Sequence, residues 1–148
     1  MFDNVALPVR EKEAISGQDL KMRVSEMLEK LDFVDAAQKY PGEISGGMQK
    51  RVALARGLIT QPEIILFDEP TTGLDPERKY SVFEMIRQYR LQFGFTVVMV
   101  SHDVPEVFEI SDQVAWLEGG KIAYFGSPET LLSNPPEGLK SFIQPQLT

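Results

Sequence analysis

The sequence predicts an α/β domain in which a mostly parallel sheet is flanked by helices. Two observations carry that expectation. Stretches with apolar residues at steps of three and four alternate with short, continuously apolar runs. The runs Glu63 to Phe67 and Phe95 to Val100 do not alternate apolar with polar, which is the pattern of a parallel strand covered on both faces. Right-handed crossovers through the intervening helix follow from strand twist.

The elements are read in chain order. Met1 to Glu13 has no sustained period and contains Pro8. Gly17 to Leu31 places Leu20, Val24, Met27, Leu28 and Leu31 on one helical stripe. A short helical piece over Phe33 to Gln38 ends at the turn Tyr40-Pro41-Gly42. A helix is predicted from near Ser45 to about Leu58, with Met48, Val52, Ala55 and Ile59 facing inward. After the first strand, Asp75 reads as an N-cap with Pro76 at the first helical position. That helix carries Val82, Ile86, Tyr89 and Phe93 and stops at Gly94. Beyond the second strand, Asp103 is placed to cap a short helix through Ile110. Gln113 to Glu118 and Lys121 to Phe125 flank Gly119-Gly120, a hairpin signal. A last short helix starts near Pro128, and the tail Pro145 to Thr148 has little to hold it.

Composition narrows the function classes. The chain has 148 residues, enough for one domain with a real core, and shows no repeat or interdomain linker. A net charge of −7 argues against nucleic acid as a partner, because neutralising phosphates needs clustered Lys and Arg. There is no cysteine, so disulfides and thiolate metal sites are excluded. The longest strongly apolar run, Phe95 to Val100, is far too short to span a bilayer. The acidic start is not a secretory signal, which leaves the cytoplasm as the expected compartment.

Four short segments carry chemistry: ISGGMQKR (Ile44 to Arg51), IILFDEP (Ile64 to Pro70), TTGLDP (Thr71 to Pro76) and SHD (Ser101 to Asp103). Ser45-Gly46-Gly47 opens a helix, where unpaired N–H groups, the helix dipole and a hydroxyl favour an anion. Alone, that tripeptide reads as a plain helix start after a turn. Asp68 and Glu69 stand at the end of an apolar strand, where ligands of α/β sheets collect. Alone, they are a solvated Asp-Glu-Pro turn. Asp75 can cap a helix with one oxygen and keep lone pairs for another contact. His102 is the only histidine, directly follows a strand and lies between two polar residues. Alone, a single histidine carries no assignment.

Together and in this order, the four segments resemble the ATP-binding subunit of an ABC transporter. The resemblance covers nearly the whole chain but only the later part of such a subunit. It implies a truncated, P-loop NTPase-like ABC ATPase domain over residues 1–148, with a signature helical region at about 14–60 and a Walker B to switch-histidine core at about 61–148. Ser45, Gly46, Gly47 and Met48 correspond to the signature that binds nucleotide, and Met48 stands where the family usually has Gln. Asp68 corresponds to the Walker B residue that orders Mg²⁺. Glu69 corresponds to the general base that polarises water, Asp75 to the D-loop that couples two sites, and His102 to the switch histidine at the γ-phosphate.

The cofactors so implied are ATP and Mg²⁺. The implied partners are a second ATP-binding subunit, most simply an identical one, and transmembrane permease subunits on the inner face of the inner membrane. Phe2 to Pro8, Ser45 to Met48 and Ser101 to Glu106 further resemble bacterial ATPases of the Mla/Mce type, which serve phospholipid trafficking. Polar amino-acid or methionine importers, a soluble ABC-type ATPase and a non-catalytic interaction fragment are the alternatives.

The phosphate-cradling pattern G-x-x-x-x-G-K-[ST] does not occur among the 148 residues. Gly120-Lys121 is the only Gly-Lys pair, is followed by Ile122 and lies in the hairpin. The resemblance implies that the P-loop and Q-loop portion, roughly a hundred residues, is absent before Met1. Three expectations follow. The isolated chain neither binds ATP tightly nor hydrolyses it. A strand is missing between Phe95 to Val100 and Gln113 to Glu118. The edges left unpaired favour oligomers, domain-swapped ones included.

Overall fold

The computed structural model describes residues 1–143, so the expectation about the tail Pro145 to Thr148 lies outside the described residues. The chain divides into two compact units, Met1–Ile65 and Leu66–Thr148, and the boundary falls inside a strand.

The first unit is helical. It contains α1 (Phe2–Lys12), α2 (Gly17–Lys30), two short 3₁₀ turns (Val34–Ala36 and Pro41–Glu43) and α3 (Gly46–Leu58). Helix α2 forms where its apolar stripe predicts, with Leu20, Val24, Met27 and Leu28 buried. Ser16 caps it by accepting the Asp19 N–H at 3.1 Å. Helix α3 buries Val52, Leu54, Ala55 and Leu58, whereas Met48, expected inside, is only half-buried.

Helix α1 corrects the reading of Met1 to Glu13 as unpatterned. Pro8 lies inside it, at a cost of about 3 kcal/mol or more. Val5, Ala6 and Val9 are completely buried where α1 packs on α2 and α3. Burying a valine contributes about 1.5–3 kcal/mol, so two valines offset the proline.

The second unit contains the rest of β1 (Ile64–Asp68), α4 (Pro76–Phe93), β2 (Thr96–Val100), a 3₁₀ turn over Glu106–Ile110, β3 (Val114–Glu118), β4 (Lys121–Gly126), α5 (Pro128–Ser133) and α6 (Glu137–Ile143). Its core holds Phe83, Ile86, Phe95, Leu131 and Leu139. Asp75 caps α4 through the Arg78 N–H at 3.0 Å. Gly94 ends it at φ 73°, a left-handed position that costs glycine nothing. Strands β3 and β4 form the expected antiparallel hairpin through Gly119 (φ 55°) and Gly120 (φ 75°).

Strands β1 and β2 pair in a two-stranded sheet of their own, separate from the hairpin. The Glu69 N–H donates to Val100 O at 2.9 Å, so the two strands end side by side and run in the same direction. The expectation that both faces are covered does not hold. Ile64 and Leu66 are 57% and 75% exposed, and Val98 and Val100 are 51% and 57% exposed. Their partners on the other face are half-buried. Continuous apolarity reports what a strand can be buried by, and among the described residues too few elements lie over these two to bury them.

Leu28→Ala, at a site 2% exposed, is expected to cost about 2–5 kcal/mol in urea unfolding. Leu66→Ala, at a strand position that sequence alone places in the core, is expected to stay within about 0.5 kcal/mol.

Candidate functional site

The side chains singled out from sequence fall into both units. Ser45 to Met48 belong to the first, and Asp68, Glu69, Asp75 and His102 to the second.

In the first unit, Ser45 adopts extended backbone at the N-cap of α3. Its Oγ accepts the Met48 N–H at 3.3 Å, and its carbonyl accepts the Gln49 N–H at 2.9 Å. Among the described residues the Gly46 and Gly47 amides have no partner, as expected for first-turn donors, and both residues are exposed. Gln49 Nε2 reaches back to Pro41 O at 3.0 Å and ties the preceding turn to the helix.

In the second unit, β1 and β2 deliver their chemistry at adjoining ends. Asp68 is the last residue of β1 and is exposed. Glu69 turns the chain with φ 48°, a left-handed conformation that a non-glycine residue adopts at a cost of about 1–3 kcal/mol. The bond from its N–H to Val100 O helps hold it there. His102 follows β2 by two residues, and its Nδ1 donates to Glu69 Oε2 at 2.6 Å. The Thr72 hydroxyl lies 3.4 Å from the same oxygen. Sequence reading named both members of this pair but not their contact.

Beneath the pair lies a buried polar cluster. Thr71 is completely buried and Asp103 is 5% exposed. The Thr71 hydroxyl donates to Asp103 Oδ2, and Lys79 Nζ, from the first turns of α4, donates to Asp103 Oδ1. The Asp103 N–H donates to Ser101 Oγ at 3.1 Å. Asp103 therefore does not cap the following turn with its side chain, as expected from sequence. That turn begins at Pro105 with no side-chain cap. A carboxylate taken out of water is better satisfied by an ammonium and a hydroxyl than by one amide. Lys79 had no signal in the sequence, since a lysine on a helix surface reads as solvated.

The charges shift one another. Burial pushes the Asp103 carboxyl up, but the hydrogen bonds from Lys79 and Thr71 outweigh it and hold it below the usual carboxylate range. The bond to Asp103 raises Lys79. The bond to Glu69 raises His102 above its ordinary value, followed by the Glu69 charge. Asp75 engages both its oxygens, Oδ1 with the Arg78 N–H and Oδ2 with Arg78 Nε at 3.2 Å.

A concavity of about 220 Å³ runs along α4 and residues 106–110, and another of about 250 Å³ lies between α1 and α3. None of Ser45, Asp68, Glu69 or His102 lines either. Among the described residues, no three His, Cys, Asp or Glu side chains gather to cage a metal ion. No helix among them is long and apolar enough to cross a membrane.

The family model described as ABC transporter matches residues 2–72. The phospholipid-transport ATP-binding protein MlaF of Escherichia coli K12 is 40% identical over 143 residues, 97% of this chain and 53% of MlaF. This chain belongs to the ABC transporter ATP-binding family. The methionine import ATP-binding protein MetN 1 of Shouchella clausii is 36% identical over 135 residues, 91% of this chain and 39% of that protein. Among solved structures, cbiO1 of Clostridium perfringens, part of the ABC transporter complex cbiONQ, superposes with a TM-score of 0.78 at 25% identity, covering 88% of this chain and 51% of that one. The ABC chain thus spans about half the length of the curated relatives it matches.

Glu69→Gln removes the charge and weakens the bond that raise His102, so the His102 pKa is expected to fall toward about 6.5. Proton NMR reads this directly, because the chain has no other histidine. A raised histidine pKa stabilises fully below about pH 6.5 and loses its contribution as pH rises through the folded value. The imidazole is 62% exposed, so that contribution is small and salt-sensitive.

Proposed function

We propose that this chain supplies part of a nucleotide clamp in the ATP-hydrolysing subunit of a bacterial ABC transporter. The observation that carries the reading is the Glu69–His102 pair at the adjoining ends of β1 and β2, one residue beyond Asp68.

The pair divides its atoms between two roles. Glu69 Oε2 is taken by His102 and Thr72, and Oε1 has no partner among the described residues. Oε1 is therefore the oxygen that can accept a proton from an attacking water. His102 spends Nδ1 on Glu69, so a neutral imidazole would present only a lone pair at Nε2. Donation from Nε2 to a phosphate oxygen requires the imidazolium, which is the form that Glu69 favours.

Asp68 offers one exposed carboxylate, and among the described residues no cluster of three His, Cys, Asp or Glu side chains includes it. That fits Mg²⁺, which takes one or two carboxylates and fills its remaining positions with water and phosphate oxygens. The ion would offset phosphate charge, with Asp68 holding it. Ser45, Gly46 and Gly47, beside Met48, would receive phosphate oxygens of a nucleotide held by a second ATP-binding subunit. Asp75, already fixed by Arg78, would couple the two sites. The phosphate-cradling pattern is not among these residues, so they do not hold ATP tightly by themselves.

The other partners in this reading are transmembrane permease subunits, with the chain peripheral on the cytoplasmic face of the inner membrane. Phospholipid is the proposed cargo, supported by 97% coverage against MlaF. Methionine is the second reading, supported by the likeness to MetN 1.

Two measurements test this. Calorimetry on the 148-residue chain is expected to show no tight, Mg²⁺-dependent ATP binding, and tight binding would sink the division of the site. If the coding sequence upstream of Met1 supplies the P-loop, the extended protein is expected to hydrolyse ATP. Glu69→Gln should then lower kcat by about 10²- to 10⁴-fold with nucleotide binding retained.

A further inference from the structure

We infer that Lys79, Asp103 and Thr71 form a positioning clasp that holds Glu69 and His102 in register. The inference gives the proposed ATPase site its supporting residues and rests on that reading for its functional meaning.

Glu69 and His102 reach one another from two different chain segments, each leaving its strand through irregular backbone. Two links could hold those segments together. One is the pairing of β1 with β2, which reaches the turn through the backbone bond from the Glu69 N–H to Val100 O. The other is Asp103, the residue next to His102. Its carboxylate takes the hydroxyl of Thr71, two residues after Glu69, and the ammonium of Lys79 on α4.

The location of the cluster matters. Thr71 and Asp103 are almost wholly out of water, whereas the His102 side chain is 62% exposed and that of Glu69 32% exposed. An exposed ion pair does not hold two long side chains in one geometry by itself. A buried carboxylate with two donors does, because breaking either bond strands an unpaired polar group. Ser101 Oγ, accepting the Asp103 N–H, fixes the peptide that carries His102. Lys79 also joins the clasp to the N-terminal part of α4, so the helix, the Glu69 turn and the His102 turn share one polar joint.

The charges that act on His102 are Glu69, Asp103 and Lys79, and their signs make the clasp testable. Glu69 and Asp103 raise the imidazole and Lys79 lowers it. Were Lys79 only a neighbouring charge, its removal would raise the His102 pKa. If Lys79 holds the pair in place, removing it loosens the Glu69 bond, the largest raising influence, and the pKa falls.

The experiment is proton NMR titration of His102 in the 148-residue chain, comparing wild type with Lys79→Met, Thr71→Val and Lys79→Arg. Thr71→Val changes no charge and breaks the other arm, so it decides the question even if Lys79→Met fails to fold. The expected result is a fall toward about 6.5 in Lys79→Met and Thr71→Val, and retention of the wild-type value in Lys79→Arg. A pKa at or above wild type in a folded Lys79→Met or Thr71→Val overturns the clasp. The readout needs no nucleotide, so an inactive extended protein would remove the ATPase reading and leave this result standing.

Discussion

Asp103 is a carboxylate with almost no access to water, and an ionised group in that position must find its compensation inside the protein. It finds an ammonium and a hydroxyl, one on each oxygen. The three groups come from α4, from the turn after β1 and from the turn after β2, so the arrangement of the second unit around its candidate site converges there. Hydrophobic burial is non-directional and can bring elements together without fixing which atoms face one another. A buried, fully paired carboxylate is directional, and at this joint it sets the register between two strand ends that share only a few backbone bonds.

Helices α2, α3 and α4 were legible because each rests on local physics. The stripe of α2, the Asp75 and Ser45 caps, Gly94 at φ 73° and the Gly119-Gly120 hairpin are all decided within a few residues. The misses are cases where distant residues decide. Helix α1 survives Pro8 through the burial of Val5 and Val9 against other helices. The exposure of Leu66 and Val98 depends on what covers β1 and β2, about which the strands' own residues are silent. Asp103 has the right chemistry for a cap and is drawn instead to Lys79, 24 residues away in sequence.

The candidate site was legible as a set of residue types and illegible as a geometry. The order of SGG, DE, D and SHD singles out Ser45, Asp68, Glu69, Asp75 and His102 as candidates. Nothing in that order shows that Glu69 takes a left-handed backbone, or that its Oε2 meets Nδ1 of His102. Nor does it show that Thr71, present in the quoted segment without a role, is completely buried. Motifs record which atoms chemistry needs, while the groups that aim those atoms carry no spacing of their own.

The openness of the site bears on how it would work. A charge pair on open surface interacts through a dielectric close to that of water, and attraction grows about fourfold when the effective value falls from about 80 to about 20. His102 and Glu69 are aligned but not out of water, their side chains being 62% and 32% exposed. Their alignment comes from beneath, through the buried cluster, and shielding has to come from whatever surface closes over them. Alignment and desolvation are thus supplied by different parts. In the proposed ATPase reading, an aligned but uncovered site would bind phosphate weakly and react slowly, and a covering surface would change the chemistry without rearranging the residues that perform it.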